Sequence, residues 1–176
     1  MKLGVIGAGY VGLVTAACFS EFGYKVLCID SDKKKVNKLK KNIIPIYEPG
    51  LSDLVKKNSS SNYLKFSSEI NDIVDVNIIF IAVGTPSSRR GSGEADLKFV
   101  YKVCEQISKL LVKGVAKLII TKSTVPVGTG NKLKKKLKSL RPDLIYDEDY
   151  HISSNPEFLR EGSAIEDFMR HYRIIC

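Results

Sequence analysis

Three glycines in the order Gly7-Ala8-Gly9-Tyr10-Val11-Gly12 follow an apolar stretch and open a helix-compatible one, and this arrangement leaves the chain few folds. Between a strand and a helix, that spacing is the phosphate-cradling turn of a dinucleotide-binding crossover unit. Each glycine has a separate task. Gly7 permits the tight turn, Gly9 lets a pyrophosphate approach the backbone, and Gly12 lets the helix pack close to the strand. The helix amino terminus, at Tyr10 and Val11, supplies free N–H donors to the phosphates. Eighteen residues past Gly12, Asp30 ends the second apolar run. Its carboxylate there accepts hydrogen bonds from both adenine-ribose hydroxyls and repels a 2′-phosphate, which favours NAD over NADP. Lys35, one helical turn onward, either reaches the same ribose or a nearby phosphate, or is plain surface.

Periodicity carries the strand–helix alternation through the rest of the chain. Strands are predicted at 2–7, 25–30, 64–66, 77–83, 117–122 and 151–154, with another beginning at 173–176. Helices are predicted at 10–22, over the lysine-rich stretch after Asp30, around Leu54 and Val55, as a turn or two in 68–74, and at 96–112, 128–140 and 156–165. Asp96 is the expected cap of its helix, and Pro156 occupies the favoured first helical position. Pro45 and Pro49 prevent 44–51 from forming one regular element. The serine run 59–62 and the serine- and glycine-rich run 87–93 read as loops, the second a mobile surface loop. The expected fold class is α/β: a Rossmann-type, doubly wound, mostly parallel sheet with helices on both faces, forming one domain over 1–176. Ligands of such sheets bind at the carboxyl ends of the strands.

Composition narrows the function classes. The 176 residues are 44% hydrophobic and 27% charged, enough for a real core. The longest unbroken apolar run, 78–83, is far too short to span a bilayer, and glycines interrupt the apolar start before it resembles a secretory signal. The cysteines Cys18, Cys28, Cys104 and Cys176 show no Cys-x-x-Cys spacing, which fits a reducing, cytoplasmic compartment. With only His151 and His171 and no paired ligand spacing, no metal site is expected. The net charge of +9 is concentrated in 33–41 and 132–141, where Val36 and Leu39, and Leu133, Leu137 and Leu140, recur at helical spacing. These runs read as solvated faces of amphipathic helices, with some attraction for anionic small molecules. Neither nucleic-acid nor membrane partners are expected, since no recognised nucleic-acid-binding pattern accompanies the charge.

Further candidate residues fall at later strand ends. Val83-Gly84-Thr85-Pro86 and Lys122-Ser123-Thr124-Val125-Pro126-Val127-Gly128-Thr129 would border a cofactor, although such turns are also ordinary loop chemistry. Asn155-Pro156-Glu157-Phe158-Leu159-Arg160-Glu161-Gly162 places Glu157 and Glu161 four residues apart, on one face of the expected helix, where carboxylates also serve simply to complement the helix dipole.

Taken in order with Pro45-Ile46-Tyr47-Glu48-Pro49-Gly50-Leu51, these motifs resemble the UDP-glucose/GDP-mannose dehydrogenase family, which oxidises a nucleotide-sugar alcohol twice to an acid. The resemblance spans nearly the whole chain. Its Ser-Thr-Val-Pro-Val-Gly-Thr turn is nearer the UDP-glucose branch than the GDP-mannose or UDP-N-acetylmannosamine branches. It implies NAD-dependent oxidation of UDP-glucose to UDP-glucuronate: hydride transfer from the sugar C6 alcohol, capture of the aldehyde by a cysteine thiolate, a second hydride transfer giving a thioester, and hydrolysis. Two NAD molecules are consumed per sugar. On matching positions the resemblance gives Thr124 a catalytic water and Glu157 a general acid/base role. It places Glu161 beside the nicotinamide and sugar, puts the backbone of Phe158 and Leu159 against substrate, and makes Asp30, Lys35 and Thr85 cofactor contacts.

Family members continue through a connecting helix into a second α/β domain that supplies the nucleophilic cysteine, in a Gly-Ser-Cys context, and completes the site. Those segments do not occur in the 176 residues, and Cys176, fifteen residues after Glu161, does not match that nucleophile. His171-Tyr172 also departs from the family's usual turn. The expectation is therefore the cofactor-binding part of the enzyme, inactive alone, whose full-length relatives form homodimers. A non-catalytic, NAD-responsive binding module stays open as an alternative.

Overall fold

Strands form where β-branched and leucine-rich runs can be buried on both faces, and helices form where the apolar period lengthens. The computed structural model describes residues 1–86 and 95–170. Its strands are β1 (Lys2–Ile6), β2 (Lys25–Ile29), β3 (Leu64–Ser67), β4 (Ile78–Ile81), β5 (Lys117–Thr121) and β6 (Tyr150–Ser154). The helices are α1 (Tyr10–Glu21), α2 (Lys33–Leu39), α3 (Leu51–Ser60), α4 (Lys98–Ser108), α5 (Thr129–Leu140) and α6 (Ala164–Met169), with a 3₁₀ turn over Ile70–Ile73. The sheet runs in the order β3-β2-β1-β4-β5-β6 with every pairing parallel. The order reverses between β1 and β4, so the crevice of a doubly wound fold opens at their carboxyl ends.

Alternate residues of the central strands feed two cores, while β3 contributes to the first and β6 to the second. Leu3, Val5, Val26, Cys28, Phe66 and Phe80 pack on one face against α1, α2, α3 and α6. Ile6, Ile29, Ile79, Ile81 and Ile119 pack on the other against α4 and α5. Helix α1 is buried on nearly all sides, through Leu13, Val14, Ala16, Ala17 and Cys18, because α3 and α6 cover its outer surface. In contrast, α2 buries only Val36 and Leu39, and α5 buries Thr129, Leu133 and Leu137, leaving most lysines of both runs in solvent. Among the described residues no helix is long and apolar enough to cross a membrane.

Several boundaries differ from the sequence expectation, each because of an identifiable contact. Ser59 and Ser60 belong to the last turn of α3 rather than to a loop. The buried Asn58 amide donates to Glu21 and to the Leu54 carbonyl, and the helix ends only where Asn62 turns left-handed. Helix α4 stops at Ser108, well short of 112, where Arg141 takes the Ser108 and Leu111 carbonyls. Asp96 does accept from the Lys98 amide at 3.0 Å, one residue ahead of the assigned cap. The largest departure is 156–165, where α6 begins only at Ala164. The expected loop 87–93 lies outside the described residues, as do His171-Tyr172 and the strand expected at 173–176.

One buried cation ties the amino-terminal edges of the sheet together. Lys117, only 2% exposed, donates to the carbonyls of Val74 and Val76, each at 2.6 Å. Burial pulls its ammonium below the usual lysine range, opposed by Asp75. Replacing Lys117→Ala strands the buried Val76 carbonyl and the partly buried Val74 carbonyl and is expected to cost about 2 kcal/mol of unfolding free energy, measurable by urea denaturation.

Candidate functional site

The site is organised by how closely α1 approaches the ends of β1 and β4. A Cβ added at Gly7, where φ is +107°, would lie 2.4 Å from the Ala82 carbonyl oxygen. One added at Gly12 would lie 1.8 Å from the Gly7 carbonyl oxygen. These two glycines therefore hold the turn, the helix and β4 in direct backbone contact. Gly9 is different: among the described residues nothing comes within 4 Å of an added Cβ, so its face is open space. The helix starts there without a side-chain cap, and its first i→i−4 bond is from the Leu13 amide to the Gly9 carbonyl. The amides of Tyr10, Val11 and Gly12 precede that bond and have no partner within the helix.

Asp30 sits directly beside this turn. Its carboxylate accepts from the Ala8 amide at 2.9 Å, the Asp32 amide at 2.9 Å and the Lys35 ammonium at 2.7 Å. Burial would raise its pKa, but Lys35 and the two amides outweigh burial and hold it below the ordinary aspartate range. Lys35 in turn is set by the Asp32 cap of α2, whose side chain accepts from the Lys34 and Lys35 amides. The structure thus brings Asp30, Lys35 and the glycine turn into one hydrogen-bonded unit.

Across the crevice, the ends of β4 and β5 are joined. Thr85 donates through Oγ1 to the Thr124 carbonyl at 2.8 Å, and the buried Ser123 hydroxyl donates to the Val83 carbonyl at 2.6 Å. The Thr124 side chain is left exposed at the sheet's carboxyl edge. Asn155 continues from β6, its amide donating to the Thr121 carbonyl and its side chain accepting from the buried Lys122 ammonium at 3.0 Å.

Residues 155–160 form no regular element and 161–163 form a turn, so Glu157 and Glu161 do not share a helical face and Pro156 starts no helix. The backbone amides that a helix would use internally are engaged elsewhere. Arg160 donates its amide and guanidinium to Asp167, and Gly162 and Ala164 donate their amides to Glu48, each at 2.8 Å. Glu157 is half-buried, Glu161 and Phe158 are exposed, and Leu159 packs against the α1-side core.

Glu48 was assigned no role by the sequence, yet it is 5% exposed and also accepts from the Tyr10 hydroxyl. Burial opposes its ionisation, but Tyr10 and the amides of Gly162, Ala164 and Ile165 hold its pKa below the ordinary glutamate range. Burial and the Glu48 carboxylate push the Tyr10 phenol up to about 12. A glutamate among prolines, in a segment that is otherwise apolar, was the available signal. The described cysteines are buried, and burial pushes the thiols of Cys18, Cys28 and Cys104 up to about 12, so none is a nucleophile at neutral pH.

Comparison with known proteins agrees with this geometry. The model of the UDP-glucose/GDP-mannose dehydrogenase family, NAD binding domain, matches residues 1–176. A UDP-glucose 6-dehydrogenase of Rhizobium meliloti is 49% identical over 176 residues, covering 99% of this chain and 39% of the relative. A UDP-glucose dehydrogenase structure from Pyrobaculum islandicum superposes with a TM-score of 0.89 at 36% identity, over 98% of this chain and 39% of that one. A ternary complex of GDP-mannose dehydrogenase from Pseudomonas aeruginosa gives 0.89 at 32% identity, over 96% and 38%. The chain spans about two fifths of the length of these relatives.

The glycine geometry gives a paired test. Gly12→Ala is expected to lower unfolding free energy by about 1–3 kcal/mol, because backbone must move, whereas Gly9→Ala is expected to change it by no more than about 0.5 kcal/mol. Urea titration of both variants checks this. Acid sensitivity follows from the carboxylates. Asp30 and Glu48 titrate lower in the folded chain than their unfolded values of about 3.9 and 4.3, so the folded state binds fewer protons in that window. Their stabilisation is complete above about pH 5 and is lost as pH falls through the folded values. Glu48→Gln is expected to flatten the acid limb of stability against pH, measured by urea denaturation at a series of acidic pH values.

Proposed function

Since this chain belongs to the UDP-glucose/GDP-mannose dehydrogenase family and forms its NAD-binding domain, we propose that it is the cofactor-binding part of an enzyme that oxidises UDP-glucose to UDP-glucuronate. The observation that carries the reading is the open face of Gly9, set between uncommitted first-turn amides and the Asp30 carboxylate. Those parts fit a dinucleotide. The amides of Tyr10, Val11 and Gly12 meet a pyrophosphate at the positive end of α1. Asp30, ionised and fixed by Ala8, Asp32 and Lys35, accepts the adenosine diol and disfavours a 2′-phosphate. NAD, when bound, supplies the hydride acceptor for both oxidation steps.

This chain's own residues then bind and orient the sugar. The exposed hydroxyl of Thr124 holds a water at the end of β5. Glu157, held half-buried, moves a proton to or from that water in the hydrolytic step. The backbone at Phe158 and Leu159 lies against substrate, with Glu161 and Thr85 flanking the nicotinamide side. The described thiols are too buried to take up the aldehyde, so the nucleophile lies outside the described residues. The preference for UDP-glucose over GDP-mannose or UDP-N-acetylmannosamine rests on the β5 turn sequence and on the name of the 49% identical relative.

Isothermal titration of the purified chain with NAD, NADP and a DNA oligonucleotide is the decisive experiment. NAD is expected to bind with unit stoichiometry, NADP about tenfold more weakly or worse, and the oligonucleotide without salt-sensitive affinity. Asp30→Asn is expected to weaken NAD about tenfold by removing a charged acceptor. Incubation with UDP-glucose and NAD is expected to yield no reduced nicotinamide by absorbance. Tighter binding of NADP than of NAD would overturn the cofactor assignment.

A further inference from the structure

One chain of hydrogen bonds joins the start of α1 to the far end of the 155–163 segment. Tyr10, first residue of α1, donates its hydroxyl to Glu48. The same carboxylate accepts from Gly162 through one oxygen and from Ala164 through the other, across sequence separations of 114 and 116 residues. Glu48 is itself fixed. Its carbonyl accepts from the Leu51 amide at the entry to α3, and Leu51 and Val55 bury α3 against the core that contains α1. Gly50, next to it, lies against Ile165, whose methyl would touch an added Cβ at 3.7 Å. The neighbouring Tyr47 is 87% exposed while Glu48 is 5% exposed, so the chain turns this one polar side chain inward.

A buried carboxylate with donors from two distant segments is rigid in proportion to how completely it is satisfied, and a change at one donor is felt at the others. The Tyr10 amide, in the first turn of α1 next to the open face of Gly9, has no partner within the helix, while the Tyr10 side chain reaches Glu48. We propose that Glu48 is a positioning residue that couples occupancy of the pyrophosphate turn to the placement of the segment bearing Glu157 and Glu161. This rests on the reading of that turn as the NAD site. Anion binding at the first-turn amides immobilises Tyr10, Tyr10 immobilises Glu48, and Glu48 holds Gly162 and Ala164 at the end of the segment that bears Glu157 and Glu161.

The test is amide hydrogen exchange at Gly162 and Ala164, with calorimetry confirming saturation of each variant by NAD. In the unaltered chain, NAD is expected to slow exchange at both amides by about fivefold or more, the lower end of coupling between linked sites. In Tyr10→Phe and in Glu48→Gln the NAD-dependent change is expected to fall below about twofold. Exchange at Ile79 and Ile119, in the core strands, should respond alike in all three proteins, which a general loss of stability would not allow. Should Glu48→Gln fail to fold, Tyr10→Phe, lacking a single hydroxyl, decides alone. Retention of the full NAD response in Tyr10→Phe overturns the coupling, as does saturable NAD binding without slowed exchange in the unaltered chain. Absence of any NAD heat in the unaltered chain overturns the cofactor reading, and the coupling with it.

Discussion

Backbone contact between the glycine turn, the start of α1 and the end of β4 is the constraint on which the rest depends. With Gly12 against the Gly7 carbonyl and Gly7 against the Ala82 carbonyl, no side chain can intervene. The helix is therefore pressed onto the sheet along a surface of small residues, and its amino terminus is aimed at the point where the strand order reverses. Asp30, Lys35 and Asp32 extend that geometry to β2, and the joined turns of β4 and β5 close the opposite side. The crevice follows from packing first. Its polarity follows from leaving the first-turn amides without internal partners.

The sheet was legible in the sequence because its central strands are apolar on both faces and the turns after β1, β4 and β5 carry glycine or proline. The same signals give the glycine turn, Asp30 and the β4 and β5 turns, each local to a few residues. The errors cluster where the deciding contact is remote. Glu157 and Glu161 have helical spacing, but Asp167 and Glu48 take the Arg160, Gly162 and Ala164 amides. Asn58 extends α3 through a partner 37 residues away, and Arg141 ends α4 from 33 residues beyond Ser108. Glu48 escaped notice for the same reason, since every donor to its side chain comes from another part of the chain.

Several buried ionic groups do work that apolar packing cannot. Lys117 ends the Val74 and Val76 carbonyls, Asp149 takes the Gly114 and Ile145 amides, and Glu48 takes those of Gly162 and Ala164. Each satisfies backbone groups in irregular segments that have no strand or helix partner. Their contribution to net stability is small compared with the cores, because burying charge is costly. Their value lies in specificity: a loop with its amides fixed has one conformation, where an apolar anchor would tolerate several.

The separation of Glu48 from Gly162 bears on the order in which the molecule assembles. Strands β1, β2 and β3 and helices α1 to α3 can associate while later residues are still being synthesised, but the carboxylate they enclose has no backbone donors from the 162–164 turn until that turn emerges. A nascent chain stalled before that turn leaves Glu48 with the Tyr10 hydroxyl but without the backbone amides of Gly162 and Ala164. Long-range closures of this kind are slow to form because the intervening loop entropy must be overcome first. The crevice therefore reaches its final shape only once the 162–164 turn has emerged and closed on Glu48.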